Sequence, residues 1–599
     1  MDRITHDLRL SETIAPFGVG AVVDVRGESL IAADTSWWDL KYAPTISCER
    51  LVARLDGGRG VLRQPPSHSG RAAKDTKGLL YWRFPAWRFC ERCSKLSQYT
   101  GKKNGRWVNK CECAGTLVPM RYVAVCTAGS HIRDIPWFQW AHRGTDNGVT
   151  EAVRFCRAYK ELTFRRSSQH GEGLASIRIS CGGCKRTRSL VELVTKDALR
   201  RDGIKCLGSQ PWESANDTVC DHPLVAVQRG ATGNYIADLV SALHIPEEQP
   251  ASKANADLIR NHVYFGKVVT DNGGPQADMV AGWIADELNV SKEKVLALAA
   301  GGDDADESVL QELKDGEWAA FLKKLECGVD HSQGDFVVDG LPVPIDAKWP
   351  QALTSRLAGL GQVHRVREVR ALKGFRRYSA EADVLPPDFG TDRAQTRVYP
   401  AIELFGEGIF LRFDEAELAE WENRPDVQAR ADILMRLRHD SPWAHRLDVP
   451  EPRFIALHTL AHVLIRRLAF ASGYASASLR ERIYAHSGGP DNTAGILIYT
   501  AAGDAQGTLG GLVRLGRPDK LMPLLLAALD DADVCSNDPV CIECDRQRAA
   551  QLNLSACHGC ALVSETSCET GNRFLDRQLV LGGSEVTGFL EEVLPQIRH

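Results

Sequence analysis

The cysteines constrain the fold of this chain more than any other feature of its sequence. There are 18 of them in 599 residues. A disulfide framework suits a short secreted domain, but this chain is long, and its N-terminus carries charges where a secretion signal needs an apolar segment. In a reducing cytosol paired cysteines more often bind metal, so the sequence predicts a cytoplasmic, metal-stabilised protein. The tight pairs are Cys90/Cys93, Cys111/Cys113, Cys181/Cys184, Cys541/Cys544 and Cys557/Cys560.

The first group of cysteines combines two of these pairs. Cys90-x2-Cys93 and Cys111-x-Cys113 can place four thiolates on two turns around one tetrahedral zinc ion. A small module of this composition buries too little apolar surface to be stable alone, so it needs a metal. We expect a structural zinc site here, with free buried thiols as the alternative.

A second group begins with the sequence CGGC. Cys181-x2-Cys184 is followed by Cys206 and Cys220, which can complete a second zinc site. A thiol–disulfide redox motif has the same spacing, but such a pair should open a helix after a strand, and here further cysteines follow instead. We expect structural zinc rather than redox chemistry.

The third group lies near the C-terminus and has more cysteines than one zinc ion can bind. Because zinc takes four ligands, the sequence leaves the choice open, and Cys557-x2-Cys560 is the firmest pair. We expect all three groups to be closed thiolate sites, which are structural, because catalytic zinc keeps a position for water. The sequence thus predicts up to three structural zinc sites. The candidates of the third group are Cys535, Cys541, Cys544, Cys557, Cys560 and Cys568.

Length and composition predict several globular domains. At about 150 residues per domain, the chain corresponds to about four domains. The expected fold class is α+β multidomain, with Cys-rich zinc-stapled modules in the N-terminal half and a zinc-binding domain at the C-terminus. We expect a mixed N-terminal segment at 1–85 and two Cys-rich zinc modules at 86–225. A mixed α/β middle region at 226–450 and a Cys-rich C-terminal domain at 451–599 should follow.

Hydrophobic patterns place several elements along the chain. Pro452 near the start and Gly473 at the end delimit an apolar helix. No apolar run approaches the roughly 18 residues that span a bilayer, and the nearest, Leu521–Leu529, is short and contains Pro523. We expect no membrane association. Helices are predicted at 231–245, 363–377, 414–439 and 452–473, and strands at 21–25, 337–345 and 495–499.

The charge of the chain favours local rather than global nucleic-acid binding. The formal net charge is −4, so no overall basic field attracts nucleic acid. One segment, 364–377, is nevertheless dense in cations and could bind phosphate groups. A solvated helix face or intramolecular ion pairs explain it equally well. The candidate nucleic-acid-binding residues are Arg365, Arg367, Arg370, Lys373, Arg376 and Arg377.

Two patterns raise enzymatic alternatives. His458 and His462 have the spacing of a metalloprotease helix, but Thr459 stands where the general base is needed, so we interpret them as hydrogen-bonded histidines in a packed helix. Asp346-x-Lys348 resembles part of a metal-dependent nuclease site, in which carboxylates hold Mg²⁺ beside a phosphate. No phosphate-binding G-x4-G-K-[ST] loop occurs, so the chain is not itself such an ATPase.

The cysteine-rich tail resembles a known domain. It combines Cys535-x5-Cys541 with ACHGC at 556–560 and ETSCETGNRFLDR at 565–577, and is similar to the C-terminal domain of MrfA-type superfamily 2 helicases. With further segments, the likeness covers most of the chain, which resembles the DrmB family, the helicase-partner subunits of DISARM anti-phage defence. These segments are Phe17–Asp24, Ser130–His142, Val366–Phe375, Leu457–Ala469 and Gly507–Leu515.

This resemblance implies a protein without a motor of its own. Such a subunit is expected to bind a large superfamily 2 helicase, and together they would engage DNA and help recognise phage genomes. The resemblance aligns Cys541, Cys557, Cys560 and Cys568 with the cysteines of the helicase-associated domain. Cys535 also matches, and Cys544 is the additional one. The related domain has closer spacing before its Cys-x2-Cys pair, so the fourth ligand stays open.

The sequence therefore predicts a non-catalytic accessory subunit of a DISARM-type complex, with structural Zn²⁺ as its cofactor. Its partners would be a superfamily 2 helicase and, through the complex, DNA. A metal-dependent nuclease that uses Asp346 and Lys348 is the alternative. A scaffold that binds only protein is the third possibility.

Overall fold

The computed structural model describes most of the chain. The described residues are 8–56, 60–66, 79–98, 102–103, 106–107, 110–143, 156–158, 161–166, 172–213, 220–245, 262, 264–270, 275–288, 292, 295–296, 305–379, 381–388, 397–441, 449–487, 492–500, 510–543 and 552–598.

The chain folds into two compact units, each assembled from segments that are distant in sequence. Unit 1 comprises Met1–Cys48, Leu55–Ser241 and Arg370–Ile402, and unit 2 comprises Glu49–Arg54, Ala242–Val369 and Glu403–His599. The domain limits predicted near 85, 225 and 450 do not coincide with these limits. The division into four consecutive domains stays a prediction.

Helices and strands are both numerous, which confirms the α+β class. Up to residue 243 the strands are β1 Val22–Val25, β2 Glu28–Ala32, β3 Val61–Arg63, β4 Tyr81–Arg83, β5 Trp87–Cys90, β6 Leu96–Gln98, β7 Lys102–Lys103, β8 Arg106–Trp107, β9 Leu117–Pro119, β10 Tyr122–Cys126, β11 Ile132–Arg133, β12 Leu162–Arg166, β13 Ile177–Cys181, β14 Thr187–Ser189, β15 Leu224–Gln228 and β16 Ile236–Leu243. The helices of this part are α1 Glu49–Asp56, α2 Trp137–His142, α3 Leu190–Leu193 and α4 Ala198–Arg201.

The second part of the chain is richer in helix. Its strands are β17 Phe336–Leu341, β18 Leu357–Arg376, β19 Val398–Phe413, β20 Leu479–Tyr484 and β21 Gly495–Thr500. Its helices are α5 Phe265–Thr270, α6 Pro275–Leu288, α7 Ala305–Cys327, α8 Gln351–Thr354, α9 Glu415–Glu422, α10 Pro425–His439, α11 Pro452–Ser472, α12 Gly511–Leu515, α13 Pro518–Asp533, α14 Gln578–Leu581 and α15 Val593–Arg598.

Small antiparallel sheets dominate unit 1. Their strand orders are β1-β2-β4, β6-β5-β9, β11-β10-β15 and β12-β13-β14. Three of the central strands end on a cysteine: Cys90 ends β5, Cys126 ends β10 and Cys181 ends β13. The ends of short paired strands therefore position the thiols.

Helix α11 and the part of the largest sheet that belongs to unit 2 build the core of that unit. The sheet has the order β16-β18-β19-β21-β20, and β17 pairs with β18. Helix α11 has Pro452 in its first turn and ends at Gly473, whose φ of 76° is left-handed. Most of its residues are buried, as expected for a helix with apolar residues on all sides. The helix predicted at 452–473 is confirmed.

Two stretches that were predicted as helices form strands. Residues 236–243 of the first are β16, and 363–376 of the second belong to β18. The predictions were wrong because pairing in the sheet, which sequence periodicity does not show, fixed both stretches as strands. Val363, Val366 and Val369 are buried in β18 and, being β-branched, suit this conformation. The strand predicted at 495–499 is confirmed by β21. The strand predicted at 337–345 is confirmed over residues 337–341, which belong to β17.

One described helix is long and apolar enough to cross a bilayer by length and composition, and it is α11. The expectation that no apolar segment reaches that length is corrected accordingly. However, 72% of the most apolar window of α11 is buried inside the protein. Its length and apolar character are accounted for by its place in the core of unit 2.

Candidate metal centres

Among the described residues, five groups of four metal-binding side chains converge, each with ligand atoms within 4.8 Å of one another. We name them cluster 1 (Cys90, Cys93, Cys111, Cys113), cluster 2 (Cys126, His131, Cys206, Cys220), cluster 3 (His142, Cys156, Cys181, Cys184), cluster 4 (Cys535, Cys541, Cys557, Cys560) and cluster 5 (His458, His462, Glu481, Cys568).

Cluster 1 unites the four cysteines that the sequence grouped together. The Sγ atoms of Cys90 and Cys113 are 3.4 Å apart, and those of Cys93 and Cys111 are 3.6 Å apart. Sulfur atoms around a tetrahedral zinc ion would be about 3.8 Å apart, whereas a disulfide bond measures about 2.05 Å. A Cβ on Gly115 would lie 2.6 Å from Cys90 Sγ, so this close turn requires glycine. The geometry fits a metal–thiolate site.

Cluster 2 combines Cys206 and Cys220 with two residues that the sequence analysis missed. Cys126 ends β10 and His131 precedes β11, so the antiparallel pairing of these strands brings both residues together. Cys126 Sγ lies 3.8 Å from Cys220 Sγ, and Cys206 Sγ lies 3.6 Å from Nδ1 of His131. The donor set is three sulfurs and one imidazole nitrogen, which zinc accepts in structural sites.

Cluster 3 combines Cys181 and Cys184 with His142 and Cys156, which were also missed. The Sγ atoms of Cys156 and Cys181 are 3.7 Å apart. Nδ1 of His142 lies 2.7 Å from the carbonyl oxygen of Phe138, and its buried Nε2 has no hydrogen-bond partner in the described part of the chain. A metal-binding histidine usually donates its other ring N–H to such an acceptor, which fixes the tautomer.

The structure therefore divides the second predicted site. Cys181 and Cys184 lie at one cluster, which is built on the end of β13, and Cys206 and Cys220 lie at another, which is built on the end of β10 in a different sheet. The four cysteines thus fall into two candidate clusters with one histidine each, in place of the single all-thiolate group that the sequence suggested, and metal binding by these residues stays a prediction. The missed ligands are solitary in sequence, and the only local signal was the proximity of Cys126 and His131.

Cluster 4 lies in the C-terminal cysteine-rich segment. Cys535 and Cys557 have their Sγ atoms 3.4 Å apart, and those of Cys541 and Cys560 are 3.8 Å apart. These distances again fit thiolates around one ion and exclude disulfide bonds. Nearby, the guanidinium group of Arg466 on α11 donates to three carbonyl groups of the loop 558–562, which joins the cluster to the core helix.

Hydrogen-bond donors favour the thiolate form in cluster 4. Burial raises the pKa of the Cys557 thiol, but the side-chain amide of Asn537 and the backbone N–H of Gly559, each 3.3 Å from Sγ, help to lower it to about 6. The thiolate is the form that binds a metal ion. Near neutral pH, Cys557 is therefore mostly in the thiolate form that can bind a metal ion.

The remaining cysteines of the tail take different positions. Cys568 does not join cluster 4 but lies at cluster 5, so the alignment that put Cys568 beside Cys541, Cys557 and Cys560 is not reflected in the grouping. Cys535 supplies the fourth thiol of cluster 4 instead. Cys544 lies outside the described residues.

Cluster 5 contains the two histidines that the sequence analysis interpreted as hydrogen-bonded. Nε2 of His458 lies 3.0 Å from Oε1 of Glu481 and 3.2 Å from Cys568 Sγ. Burial lowers the pKa of His462, but the charge of Glu481 raises it, to about 9 overall. Burial raises the pKa of the Cys568 thiol, and so does Glu481, whereas the two histidines lower it, to about 7. All four residues are buried.

Half of the basic segment is used inside the protein. Arg377 is fully buried and donates to the carbonyl oxygens of Asn234 and Gly20, both at 2.6 Å. Burial lowers its pKa to about 9. Arg376 is buried and pairs with Asp238 at 2.9 Å. Arg376 thus acts as the ion-pair alternative described, whereas Arg377 stabilises the fold through hydrogen bonds to backbone carbonyl groups.

The other basic residues differ in exposure. Arg367 is buried and pairs with Glu403 and Asp335. Arg365 also pairs with Asp335, at 3.2 Å, but its side chain is 48% exposed. Arg370 and Lys373 are half-buried and have interactions within the protein. Contact with nucleic acid stays a prediction for Arg365, Arg370 and Lys373, and the burial of Arg367, Arg376 and Arg377 argues against it for those three.

The residues of the nuclease alternative do not form a metal site with other carboxylates in the described part of the chain. Asp346 pairs with Lys348 at 3.5 Å, and both side chains are exposed. Asp335, a carboxylate that precedes Asp346 in the chain, forms ion pairs with Arg365 and Arg367. Neither Asp335 nor Asp346 belongs to any of the five clusters. No observation here favours a nuclease.

Comparison with known proteins agrees with this arrangement. The model of a family described as the MrfA Zn-binding domain matches residues 460–561, which contain cluster 4. A model described as a domain of unknown function, DUF8724, matches residues 9–236, which contain clusters 1, 2 and 3. The DISARM protein DrmB of Bacillus paralicheniformis is 31% identical over 593 residues, which are 93% of this chain and 97% of that relative. The chain belongs to the DrmB family of DISARM proteins.

Membership of the DrmB family confirms the resemblance on which the sequence analysis relied. The MrfA Zn-binding match also confirms the cysteine-rich domain at the C-terminus. This DrmB-family chain carries several clusters compatible with structural zinc, as predicted. Which side chains bind each ion stays a prediction.

Proposed function

We propose that this chain is a non-catalytic accessory subunit of a DISARM anti-phage complex in the cytoplasm, where it binds a superfamily 2 helicase and helps it engage DNA. The observation that carries the proposal is the 31% identity to a DISARM protein DrmB over nearly the whole of both chains. A relationship of this extent includes both units, not only the cysteine-rich tail.

The clusters support a structural rather than a catalytic role. Clusters 1 to 4 each offer four protein ligands. A zinc ion with four protein ligands has no position left for a substrate or an activated water molecule. Metal in these clusters would stabilise loops at which a partner protein could bind.

Exposed apolar side chains near cluster 4 support a partner surface. Val534 and Val540, which are 73% and 77% exposed, each precede a ligand of the cluster. Phe470 on α11 is 83% exposed and lines a cavity of about 270 Å³ together with Cys560. Large exposed apolar side chains near one another are typical of protein interaction sites. We place the helicase contact here.

A tagged pull-down from the native host tests the partner. We expect a large superfamily 2 helicase in near-equal amounts with the wild-type chain. The double variant Phe470→Asp/Val540→Asp should reduce this recovery by about tenfold or more, because it places charges where the helicase would bury apolar side chains. Ile345→Asp, at a side chain that is 94% exposed elsewhere in unit 2, is the matched control and should have no effect. Recovery of the wild-type chain alone would contradict the helicase proposal.

Fluorescence anisotropy with labelled single-stranded and duplex DNA tests DNA engagement by the chain and by the complex. If phosphate contacts contribute, affinity should fall steeply between about 50 mM and about 200 mM salt. Arg365→Glu should weaken binding and reduce the salt dependence. Binding by neither would favour the protein-only scaffold. Mg²⁺-dependent plasmid cleavage that is lost in Asp346→Ala would overturn the non-catalytic role.

A further inference from the structure

Cluster 5 lies at the centre of unit 2, where the core helix meets the sheet. His458 and His462 are one turn apart on the same face of α11, Glu481 is on β20, and Cys568 follows cluster 4 in the chain. The two histidine side chains are fully buried, and Glu481 and Cys568 are 1% and 6% exposed. Four polar, ionisable groups at such depth require mutual compensation or a bound ion.

The distances within cluster 5 resemble those of a tetrahedral metal site. Nε2 of His458 lies 3.0 Å from Oε1 of Glu481 and 3.2 Å from Sγ of Cys568, and Nε2 of His462 lies 3.4 Å from the same carboxylate oxygen. Nitrogen, oxygen and sulfur ligands around one zinc ion would be separated by about 3.3–3.6 Å, so the third distance falls in this range and the first two are shorter. Each residue thus presents one donor atom to a common centre.

The hydrogen bonds around cluster 5 direct one imidazole lone pair inward. Nδ1 of His462 is 2.9 Å from the carbonyl oxygen of Ala561, so this nitrogen carries the proton and Nε2 faces the cluster. Nε2 of His462, which faces the cluster, is buried and has no hydrogen-bond partner among the described residues, and the same holds for Oε2 of Glu481 and Nδ1 of His458. The arrangement of His462 repeats that of His142 in cluster 3.

An unpartnered buried acceptor is costly, and a cation at the centre would satisfy Nε2 of His462. Leaving such an atom without a partner costs about 1–3 kcal/mol in a typical protein. Metal binding requires both imidazoles to be neutral, so that with one carboxylate and one thiolate the four ligands carry a net charge of −2, which a divalent cation neutralises. A thiolate with imidazoles disfavours Mg²⁺ and Ca²⁺ and suits zinc.

We propose that cluster 5 is a further structural zinc site, with His458, His462, Glu481 and Cys568 as its four ligands. It lies partly outside the matched range of the MrfA Zn-binding domain, which ends before Cys568. Such a site fastens α11 to β20 and to the chain that leaves cluster 4. With four protein ligands it is closed, so it stabilises unit 2 and does not catalyse a reaction. The alternative is a network held together by protons alone.

Anomalous scattering from crystals of the full-length wild-type protein, purified without added metal, is the deciding measurement. We expect a difference peak among the four donor atoms above the zinc absorption edge that is strongly reduced below it. Peaks at the cysteine clusters with none at cluster 5 would overturn the proposal. A peak that keeps its strength below the edge would overturn the assignment to zinc.

Metal analysis of variants provides a second test in solution. The double variant Glu481→Gln/Cys568→Ser keeps the side-chain shapes but removes both anionic ligands, and it should contain one zinc equivalent fewer per chain than the wild type. Cys327→Ser is the control, because Cys327 is exposed and outside all five clusters. Unchanged zinc in the soluble double variant would contradict the proposal. If that variant is insoluble, the wild-type anomalous map still decides.

Discussion

At the scale of single residues, burial rather than charge decides whether a basic side chain stabilises the fold or stays accessible to a ligand. Arg377 is fully buried, and two backbone carbonyls and the side chain of Gln210 accept its N–H groups. Arg365 belongs to the same dense run of cations but keeps about half of its side chain in solvent. Similar positions in the sequence thus have different physical roles.

We predict that Arg377→Met destabilises the protein and Arg365→Met does not. The first substitution removes the donor from buried carbonyls of Gly20 and Asn234, at a cost of about 2–4 kcal/mol. The second acts at the surface and should stay within about 0.5 kcal/mol. Thermal and urea unfolding of the two variants measure the difference. Equal stability of the two would show that the Arg377 contacts contribute little.

At the scale of elements, paired strands determine which thiols meet. Clusters 2 and 3 are built on strand ends of different sheets, at Cys126 of β10 and Cys181 of β13, although Cys181, Cys184, Cys206 and Cys220 follow one another in the sequence. Each strand pair fixes one ligand at a strand end, and the connecting loops deliver the rest. The close approach at Gly183, where a Cβ would lie 2.7 Å from that of Ala158, shows how tightly the CGGC turn packs in cluster 3.

This division predicts the zinc content of cysteine variants. Cys181→Ser and Cys206→Ser should each lose one zinc ion per chain, and the double variant should lose two, because the residues belong to separate clusters. Inductively coupled plasma mass spectrometry of the purified chains counts the ions. Cys327→Ser serves as the control with no loss. A double variant that loses only one ion would instead support the single site that the sequence analysis predicted.

At the scale of the whole molecule, metal binding and folding are coupled. The core of unit 1 includes ligands of clusters 2 and 3, among them the buried Cys126, Cys181 and Cys206. A structural zinc site contributes about 10–16 kcal/mol in small zinc-binding peptides, which is comparable to the entire stability of a typical domain. We therefore expect the sheets around these clusters to depend on a bound ion as well as on apolar burial.

We predict that chelation of zinc unfolds the cysteine-rich part of unit 1. Limited proteolysis after chelation should cleave between residues 86 and 228, and added Zn²⁺ but not Mg²⁺ should restore protection. Hydrogen exchange of the same peptides gives an independent measurement. A zinc-depleted chain that keeps its resistance to protease would contradict the structural role of the ions.

The partner function should depend on the same coupling. Cys557→Ser removes a ligand of cluster 4, beside which we place the helicase contact, so we predict insoluble protein or reduced helicase recovery in the pull-down. Cys327→Ser again provides the control. A soluble Cys557→Ser protein with full helicase recovery would show that cluster 4 is not needed for the partner surface.

The sequence by itself determined the chemistry and several local elements. Closely spaced cysteine pairs predict metal binding because two ligands on one turn already point to a common centre, and all of cluster 1 follows from two such pairs, Cys90-x2-Cys93 and Cys111-x-Cys113. Pro452 and Gly473 delimit α11 because their backbone preferences are local. Family motifs in the tail, such as ACHGC at 556–560, were contiguous in the chain and therefore visible.

Only the tertiary structure decided which distant groups meet. His131 and His142 are solitary in sequence and become ligand candidates through strand pairing and a helix end, and Glu481 reaches His458 across the interface of helix and sheet. The basic segment is a strand, not a helix, because neighbouring strands satisfy its backbone. Local preference acts over a few residues, whereas burial and convergence depend on contacts between segments that are far apart in the chain, and sequence periodicity carries no record of those contacts.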